Sequence, residues 1–184
     1  MIFEENKITL KDGREAVLRS PCASDAAAHL AYIKKACGET DFLSRCAEEW
    51  ESVSLESEEK WIESMASSPD AVAIACYVDG RTVGNCEIRM LGGIKTRHRA
   101  TVGIAILREY WGLGIGSAMF RELMSVAQAR EGIEIVELEF IEGNDRARAL
   151  YEKFGFRIVG ERPSAFKLKD ERVLTEYFMQ KRLR

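Results

Sequence analysis

The sequence predicts one mixed α/β domain, with a central sheet of about six or seven strands flanked by about four helices. At 184 residues the chain suits a single domain with a substantial core. Apolar runs of period two alternate with amphipathic runs of helical period along the whole chain. No repeat, low-complexity tract or linker divides these runs, so they are assigned to one fold.

The N-terminal part is predicted to hold a strand, a helix and a loop. Residues 16–19 form a short strand after the turn at residues 11–14. Ser24 caps a helix that runs to about Cys37. Residues 38–53 show no clear period and are predicted to be a loop, with at most a short helix. The candidate core positions of the helix are Ala27, Leu30, Ala31 and Ile33.

A second helix and a hairpin follow. Residues 56–67 form a helix that carries Trp61, Ile62 and Met65 and ends before Pro69. The apolar residues 71–78 form a strand, and Asp79 with Gly80 is a strong hairpin signal. The return strand, residues 82–90, alternates between its two sides. Cys86, Ile88 and Met90 face one side, and Asn85, Glu87 and Arg89 face the other.

The second half is predicted to hold two helices and four strands. Gly92 and Gly93 lead into a strand that ends at Ile106, and a helix then spans residues 114–130 with an apolar stripe. A strand at residues 134–140, a helix that begins after Asn144, and two final strands at 157–167 and 172–179 complete the order. The apolar stripe of the helix at residues 114–130 consists of Met119, Leu123 and Val126.

The turn between residues 110 and 118, with the sequence YWGLGIGSA, predicts a phosphate-binding site. Its three glycines alternate where a strand gives way to a helix. Such a turn exposes backbone N–H groups at a helix N-terminus, where free donors and the helix dipole favour anions. Glycine also lets the backbone approach a phosphate closely. A turn that only connects strand to helix is the alternative reading.

Two common phosphate-binding motifs do not fit this turn. A P-loop needs Lys and Ser or Thr after its last glycine, but Ser117 and Ala118 follow Gly116. A dinucleotide fingerprint needs Gly or Ala at position 117 or 119, where Ser117 and Met119 stand. Kinases and nicotinamide-dependent reductases are therefore disfavoured.

A second motif lies downstream at residues 144–156, NDRARALYEKFGF. Asn144 is a natural helix N-cap and Gly155 a natural C-terminal stop. Together the two segments resemble the GNAT acetyltransferase superfamily. Its pattern Asn-x-x-Ala-x-x-Leu-Tyr-x-Lys-x-Gly-Phe is met in full, whereas Trp111 stands where Gln or Arg usually opens the glycine motif. The motifs cover roughly residues 100–160.

The resemblance implies that acetyl-CoA is the cosubstrate and that two central parallel strands, ending near Ile106 and Phe140, part at their C-terminal ends. The resemblance further implies that the pantetheine arm lies in that split and that a backbone N–H near Ile106 stabilises the developing oxyanion. It also implies that Asn144 binds pantetheine and that Tyr151 protonates the departing thiolate; their structural alternatives are a helix cap and a core aromatic. The implied cofactor-binding residues are Ile104, Ile106, Leu107, Trp111, Gly112, Leu113, Gly114, Ile115, Gly116, Ser117, Asn144, Tyr151 and Lys153.

Glu87 is the candidate general base, although a solvated strand face also explains it. His98 lies between two arginines that disfavour its protonated form. Glu137 and Glu139 alternate with apolar residues, so one of them is expected to point into the cleft. Acetyltransferases of this kind also move the proton through water, which needs no dedicated base.

The acceptor is predicted to be an amine bound by residues 38–60 and the last hairpin. A small-molecule primary amine is favoured. A peptide or protein N-terminus is the alternative acceptor, and a non-catalytic acyl-CoA sensor is the alternative function. An acidic cluster in the first region suits a cationic amine or a solvent-facing helix edge. It consists of Glu48, Glu49, Glu51, Glu56, Glu58 and Glu59.

Composition limits the partners. A net charge of -3 gives no general attraction to nucleic acid or to anionic membranes, and no apolar run reaches membrane-spanning length. The 5 cysteines form no Cys-x-x-Cys pair and the chain has 2 histidines, so no metal site is expected. Reduced thiols and a start without signal-peptide features predict a cytoplasmic protein. Homodimer formation is left open.

Overall fold

The computed structural model describes residues 1–184 and places every strand in one sheet. The strands are β1 (Asn6–Thr9), β2 (Glu15–Arg19), β3 (Ala71–Val78), β4 (Arg81–Met90), β5 (Arg99–Ile106), β6 (Ile135–Ile141), β7 (Arg157–Lys167) and β8 (Val173–Arg182). The helices are α1 (Ala26–Gly38), α2 (Leu55–Ser67), α3 (Ile115–Ala129) and α4 (Asp145–Lys153). Short 3₁₀ turns lie at Ala23–Asp25, Ala47–Trp50 and Arg108–Tyr110.

The sheet runs in the order β1-β2-β3-β4-β5-β6-β8-β7, and only the β5–β6 pair is parallel. That pairing covers three positions, Arg99 with Ile135, Ala100 with Val136 and Thr101 with Glu137. Beyond Thr101 the two strands part, as the resemblance implied. Since α3 connects these strands, its N-terminus and the open end of the split lie in the same region.

Helices cover both faces of the sheet. The register puts alternate residues of β3 on opposite faces. On one face, Ala71 and Ala73 pack against Met65 of α2, and α1 joins α2 through a stack of His29 on Trp61 at 5.3 Å. On the other face, Val72, Ile74, Cys86 and Ile88 belong to the main core with Met119, Phe120 and Leu123 of α3.

The hairpin and most elements lie where the sequence predicts them. Asp79 and Gly80 adopt φ values of 49° and 75°, as the tight turn between β3 and β4 requires. Cys86, Ile88 and Met90 are buried, whereas Asn85, Glu87 and Arg89 are partly exposed. No helix of the structure is both long and apolar enough to cross a membrane.

Two predictions about the N-terminal part were incomplete or wrong. The sheet has eight strands rather than six or seven, because the polar edge strand β1 gave no apolar alternation. The predicted core face of α1 was wrong, because Ala27 and Ala31 are exposed and Leu30 and Ile33 are only partly buried. The buried residues of α1 are Ala26, His29, Tyr32, Ala36 and Cys37. This face of α1 points inward because His29 bonds Glu58 and the Tyr32 hydroxyl donates to Ala105 O.

Candidate active site

The split between β5 and β6 leaves backbone groups free on both strands. Leu91 N donates to Arg99 O and Leu107 N to Val83 O, so the odd-numbered residues of β5 direct their backbone toward β4. The N–H groups of Ile104 and Ile106 therefore point into the split. Ile106 O accepts a hydrogen bond from Trp111 Nε1 at 2.7 Å, whereas the Ile106 N–H has no partner on β6, because the β5–β6 pairing ends at Thr101.

The glycine turn provides a set of unpaired amides at the open end of the split. None of the backbone N–H groups from Gly112 to Ser117 donates to another backbone group, and the first bond of α3 is Ala118 N to Gly114 O at 3.1 Å. Gly112 and Gly114 adopt φ values of 82° and 97°, which L side chains rarely adopt. The turn thus has the geometry that favours an anion at a helix N-terminus.

Three basic side chains surround this turn. Lys153 Nζ lies 3.5 Å from Ser117 Oγ, and Arg146 extends over the Trp111 ring at 5.2 Å from its centroid. Lys11 comes from the β1–β2 turn, which is attached to the glycine turn by a bond from Lys11 N to Leu113 O. The amides and these cations together favour a ligand with more than one phosphate.

The α4 motif residues lie beside the split. Asn144 caps α4 through its side-chain oxygen, which accepts from Ala147 N at 3.2 Å. Tyr151 packs against Phe120, Phe140 and Phe156, and burial raises the pKa of its phenol to about 12. Its hydroxyl is therefore protonated at neutral pH and can donate a proton to a developing anion.

Acidic side chains of β6 and β8 lie at the other end of the cleft. Glu137 is engaged by Arg99, whose Nε and Nη2 donate to its two oxygens at 3.0 and 2.6 Å. Glu139 has no such partner. Glu139 is exposed, and its pKa is raised by partial desolvation and by the neighbouring charge of Glu176, which is 6% exposed, while Arg162 lowers it to a smaller extent. A carboxylate with a raised pKa in a cleft is a candidate proton acceptor.

One cavity of about 1090 Å³ connects the two ends. Of the predicted site residues, it is lined by Ile104, Ile106, Trp111, Gly112, Gly114, Ile115, Gly116, Ser117, Asn144, Tyr151 and Lys153. The side chains of Leu107 and Leu113 lie outside it, because Leu107 is a core residue and Leu113 packs against the core. The loop after α1 contributes Thr40, Phe42, Leu43 and Ser44, and the β7–β8 hairpin contributes Phe166 and Phe178.

Glu87 does not line this cavity. Its carboxylate accepts hydrogen bonds from Arg89 Nε at 3.1 Å and Nη2 at 3.3 Å. Its role as general base stays a prediction, and the geometry gives it less support than Glu139. No cluster of three or more His, Cys, Asp or Glu side chains could hold a metal ion.

Sequence reasoning missed four charged residues that line the cavity: Lys11, Arg99, Arg146 and Glu176. Lys11 reaches the site from a distant part of the chain, so no local pattern marks it. Arg146 lies inside the second motif but at one of its variable positions. Glu176 carried a signal, because an acid stands in the alternating row Leu174, Glu176, Phe178 of a strand.

Comparison with known proteins agrees with this geometry. The Acetyltransferase (GNAT) family matches residues 39–156. The chain is 26% identical over 123 residues to the L-amino acid N-acetyltransferase AaaT of Escherichia coli (strain K12). This match covers 67% of this chain and 75% of that protein.

Solved structures share the fold. The GNAT-family acetyltransferase of Streptococcus pneumoniae superimposes with a TM-score of 0.85 at 26% identity, covering 91% of this chain and 99% of that one. The yncA protein of Salmonella typhimurium, solved with its cofactor acetyl-CoA, has a TM-score of 0.78 at 18% identity and covers 92% and 94% of the two chains.

Proposed function

The chain belongs to the GNAT family of acetyltransferases and is an acetyl-CoA-dependent acyltransferase; we propose that it moves the acetyl group directly to the primary amine of a small molecule. The observation that carries the proposal is the single cavity with opposite charges at its two ends. Unpaired amides and three cations surround one end, and the acids Glu139 and Glu176 lie at the other. A polyanionic donor and a cationic amine can therefore meet in the middle.

The donor end fits coenzyme A. The amides of the glycine turn, with Lys11, Arg146 and Lys153, would hold its phosphates, and Asn144 would bind the pantetheine arm while it caps α4. The free backbone of Ile104 and Ile106 would pair with the arm as an added strand does. Acetyl-CoA supplies a thioester, whose acyl carbon is open to attack by an uncharged amine.

Stabilisation of the oxyanion and protonation of the departing sulfur can each be assigned to a group that lines the cavity. The Ile106 N–H, directed into the split by the pairing of β5 with β4, would donate to the oxygen on which negative charge develops. The Tyr151 hydroxyl would protonate the departing sulfur, because it lines the cavity and carries its proton at neutral pH.

Glu139 is the stronger candidate for the base that removes the amine's proton. Its raised pKa brings it closer to neutral pH than an ordinary carboxyl group, and it lines the cavity. Glu87 lies outside the cavity and is paired with Arg89. Proton transfer through water stays an alternative and would make neither residue essential.

A small molecule is favoured as acceptor, and AaaT, an L-amino acid N-acetyltransferase, supports that class. Acetylation of a peptide N-terminus is the alternative, and a non-catalytic acyl-CoA sensor is the rival function. We also place the enzyme in the cytoplasm, since all five cysteines are free thiols.

The test is a screen of amines with acetyl-CoA in which released thiol is measured. We expect thiol release that depends on the amine and an acetylated product detected by mass spectrometry. A folded protein that binds acetyl-CoA but releases no thiol with any amine, amino acid or peptide would support the sensor function instead.

A further inference from the structure

Resting on the proposed acetyl transfer, we infer that the acceptor is a free α-amino acid with an apolar side chain. Its ammonium group faces Glu139 and Glu176, its carboxylate binds Arg162, and its side chain lies against the aromatic residues of the cavity wall. The three charged residues belong to neighbouring strands of one sheet, so their spacing is fixed by the backbone.

The register brings the two acids together. On β6 and β8, Glu139 pairs with Phe178 and Ile141 with Glu176, which makes Glu139 and Glu176 diagonal neighbours on the same face. Their carboxylates repel each other, and this repulsion contributes to the raised pKa of Glu139. A cation between them would relieve that repulsion, which favours an ammonium group as the ligand.

Glu176 lacks a hydrogen-bond donor. The residue is 6% exposed, and its Oε2 makes no hydrogen bond within the chain. Arg162 Nη1 lies 2.8 Å from this oxygen, so the two charges attract, but no N–H of Arg162 points at it. The ion pair compensates the charge of this oxygen, and its free lone pairs can still accept a hydrogen bond from an ammonium group in the cavity.

Arg162 supplies the complementary charge. It lies on β7 opposite Glu176, and its guanidinium sits 5.2 Å from the centre of the Phe178 ring. The side chain is 63% exposed beside Glu176 and Phe178, which line the cavity, and a guanidinium can bind a second carboxylate through its remaining N–H groups. The other arginines at this end pair with acids other than Glu176: Arg99 bonds Glu137, and Arg172 bonds Asp170 and Asp41.

The spacing of these charges fits an α-amino acid. A single carbon atom separates its ammonium and carboxylate groups, so both can meet protein charges that are themselves in contact. The rest of the molecule would face Phe42, Leu43, Phe166 and Phe178, which line the same end of the cavity. These walls carry no charge, so they favour an apolar side chain.

A panel of four amines tests the charge arrangement in the wild-type enzyme. L-Phenylalanine is expected to be the best acceptor. L-Phenylalaninamide and 2-phenylethylamine keep the ring but lack the carboxylate, and 6-aminohexanoate carries both charges far apart. We expect kcat/KM to fall at least about tenfold for each of these three, since charged hydrogen bonds are lost.

Variants then assign the residue. Arg162→Gln should raise the KM for L-phenylalanine by roughly tenfold to a hundredfold and leave the KM for the amide unchanged. The control is Arg157→Gln, an exposed cation of β7 that forms no ion pair with Glu176, which should change neither value. Equal use of the acid and the amide by the wild-type enzyme would overturn the inference while leaving acetyl transfer intact. Thiol release with no amine at all would instead overturn the proposed function.

Discussion

Gly114→Glu is the sharpest test of the donor site. Gly114 is the N-cap of α3 and has a φ of 97°, and an added Cβ would meet only Lys11 Cγ, at 3.9 Å. The substitution therefore introduces no clash, but it costs about 1–2 kcal/mol of backbone strain. The new carboxylate would lie among the free amides and repel an incoming phosphate.

The size of the effect follows from the bonds that are lost. A hydrogen bond to a charged group contributes about 1.5–3 kcal/mol. If the glutamate displaces two amide–phosphate bonds, binding weakens by roughly 3–6 kcal/mol, or about a hundredfold to ten-thousandfold. Gly114→Ala is the matched control, because it carries the same backbone strain without the charge.

Calorimetric titration with CoA measures both variants, and circular dichroism confirms that they fold. We expect Gly114→Ala to bind CoA within about tenfold of the wild type, since a methyl group leaves the amides open. A folded Gly114→Glu protein with wild-type affinity would refute the anion site. Equal losses in the two variants would show that backbone strain, rather than occupation of the site, weakens binding.

Three further predictions address catalysis and stability. Tyr151→Phe should lower kcat by roughly tenfold to a thousandfold with little change in the KM for acetyl-CoA, since the hydroxyl acts only as charge develops on sulfur; full turnover at every pH would contradict this. A base accepts a proton only when ionised, so wild-type kcat/KM should rise with pH through the pKa of Glu139. Glu139→Gln should abolish that rise, and Glu87→Gln should preserve it. Arg99→Gln leaves Glu137 without its main partner and should lower the free energy of unfolding by about 1–3 kcal/mol in urea denaturation; an unchanged midpoint would assign the pair no role in stability.

The sequence predicted the parts of the fold that local patterns specify. The glycine turn, the hairpin at Asp79 and the cap at Asn144 each follow from the conformational needs of a few adjacent residues. The face of α1 could not be predicted in this way. Alanines occupy both sides of that helix, and its inward direction depends on His29 bonding Glu58 and on Tyr32 bonding Ala105 O.

The acceptor end shows the same limit more strongly. Glu139 was noted as a candidate because it alternates with apolar residues, but its relation to Glu176 depends on the antiparallel pairing of β6 with β8. Likewise, Glu87 stands on the expected face of β4, yet it lies away from the cavity because the split opens on the far side of β5. Pairing of distant strands decides both outcomes, and no local pattern encodes it.

The short β5–β6 pairing has a consequence for the dynamics of the molecule. Three pairs of residues join the strands β1 to β5 to the strands β6 to β8, which is as few as join β2 to β3, so this seam is sparsely bonded. The amides of Ile104 and Ile106 should then exchange with solvent rapidly in the free protein. A ligand that occupies the seam would act as the missing strand and slow this exchange. Binding and local folding would thus be one event, and the stability of the sheet would depend on the concentration of the acyl donor.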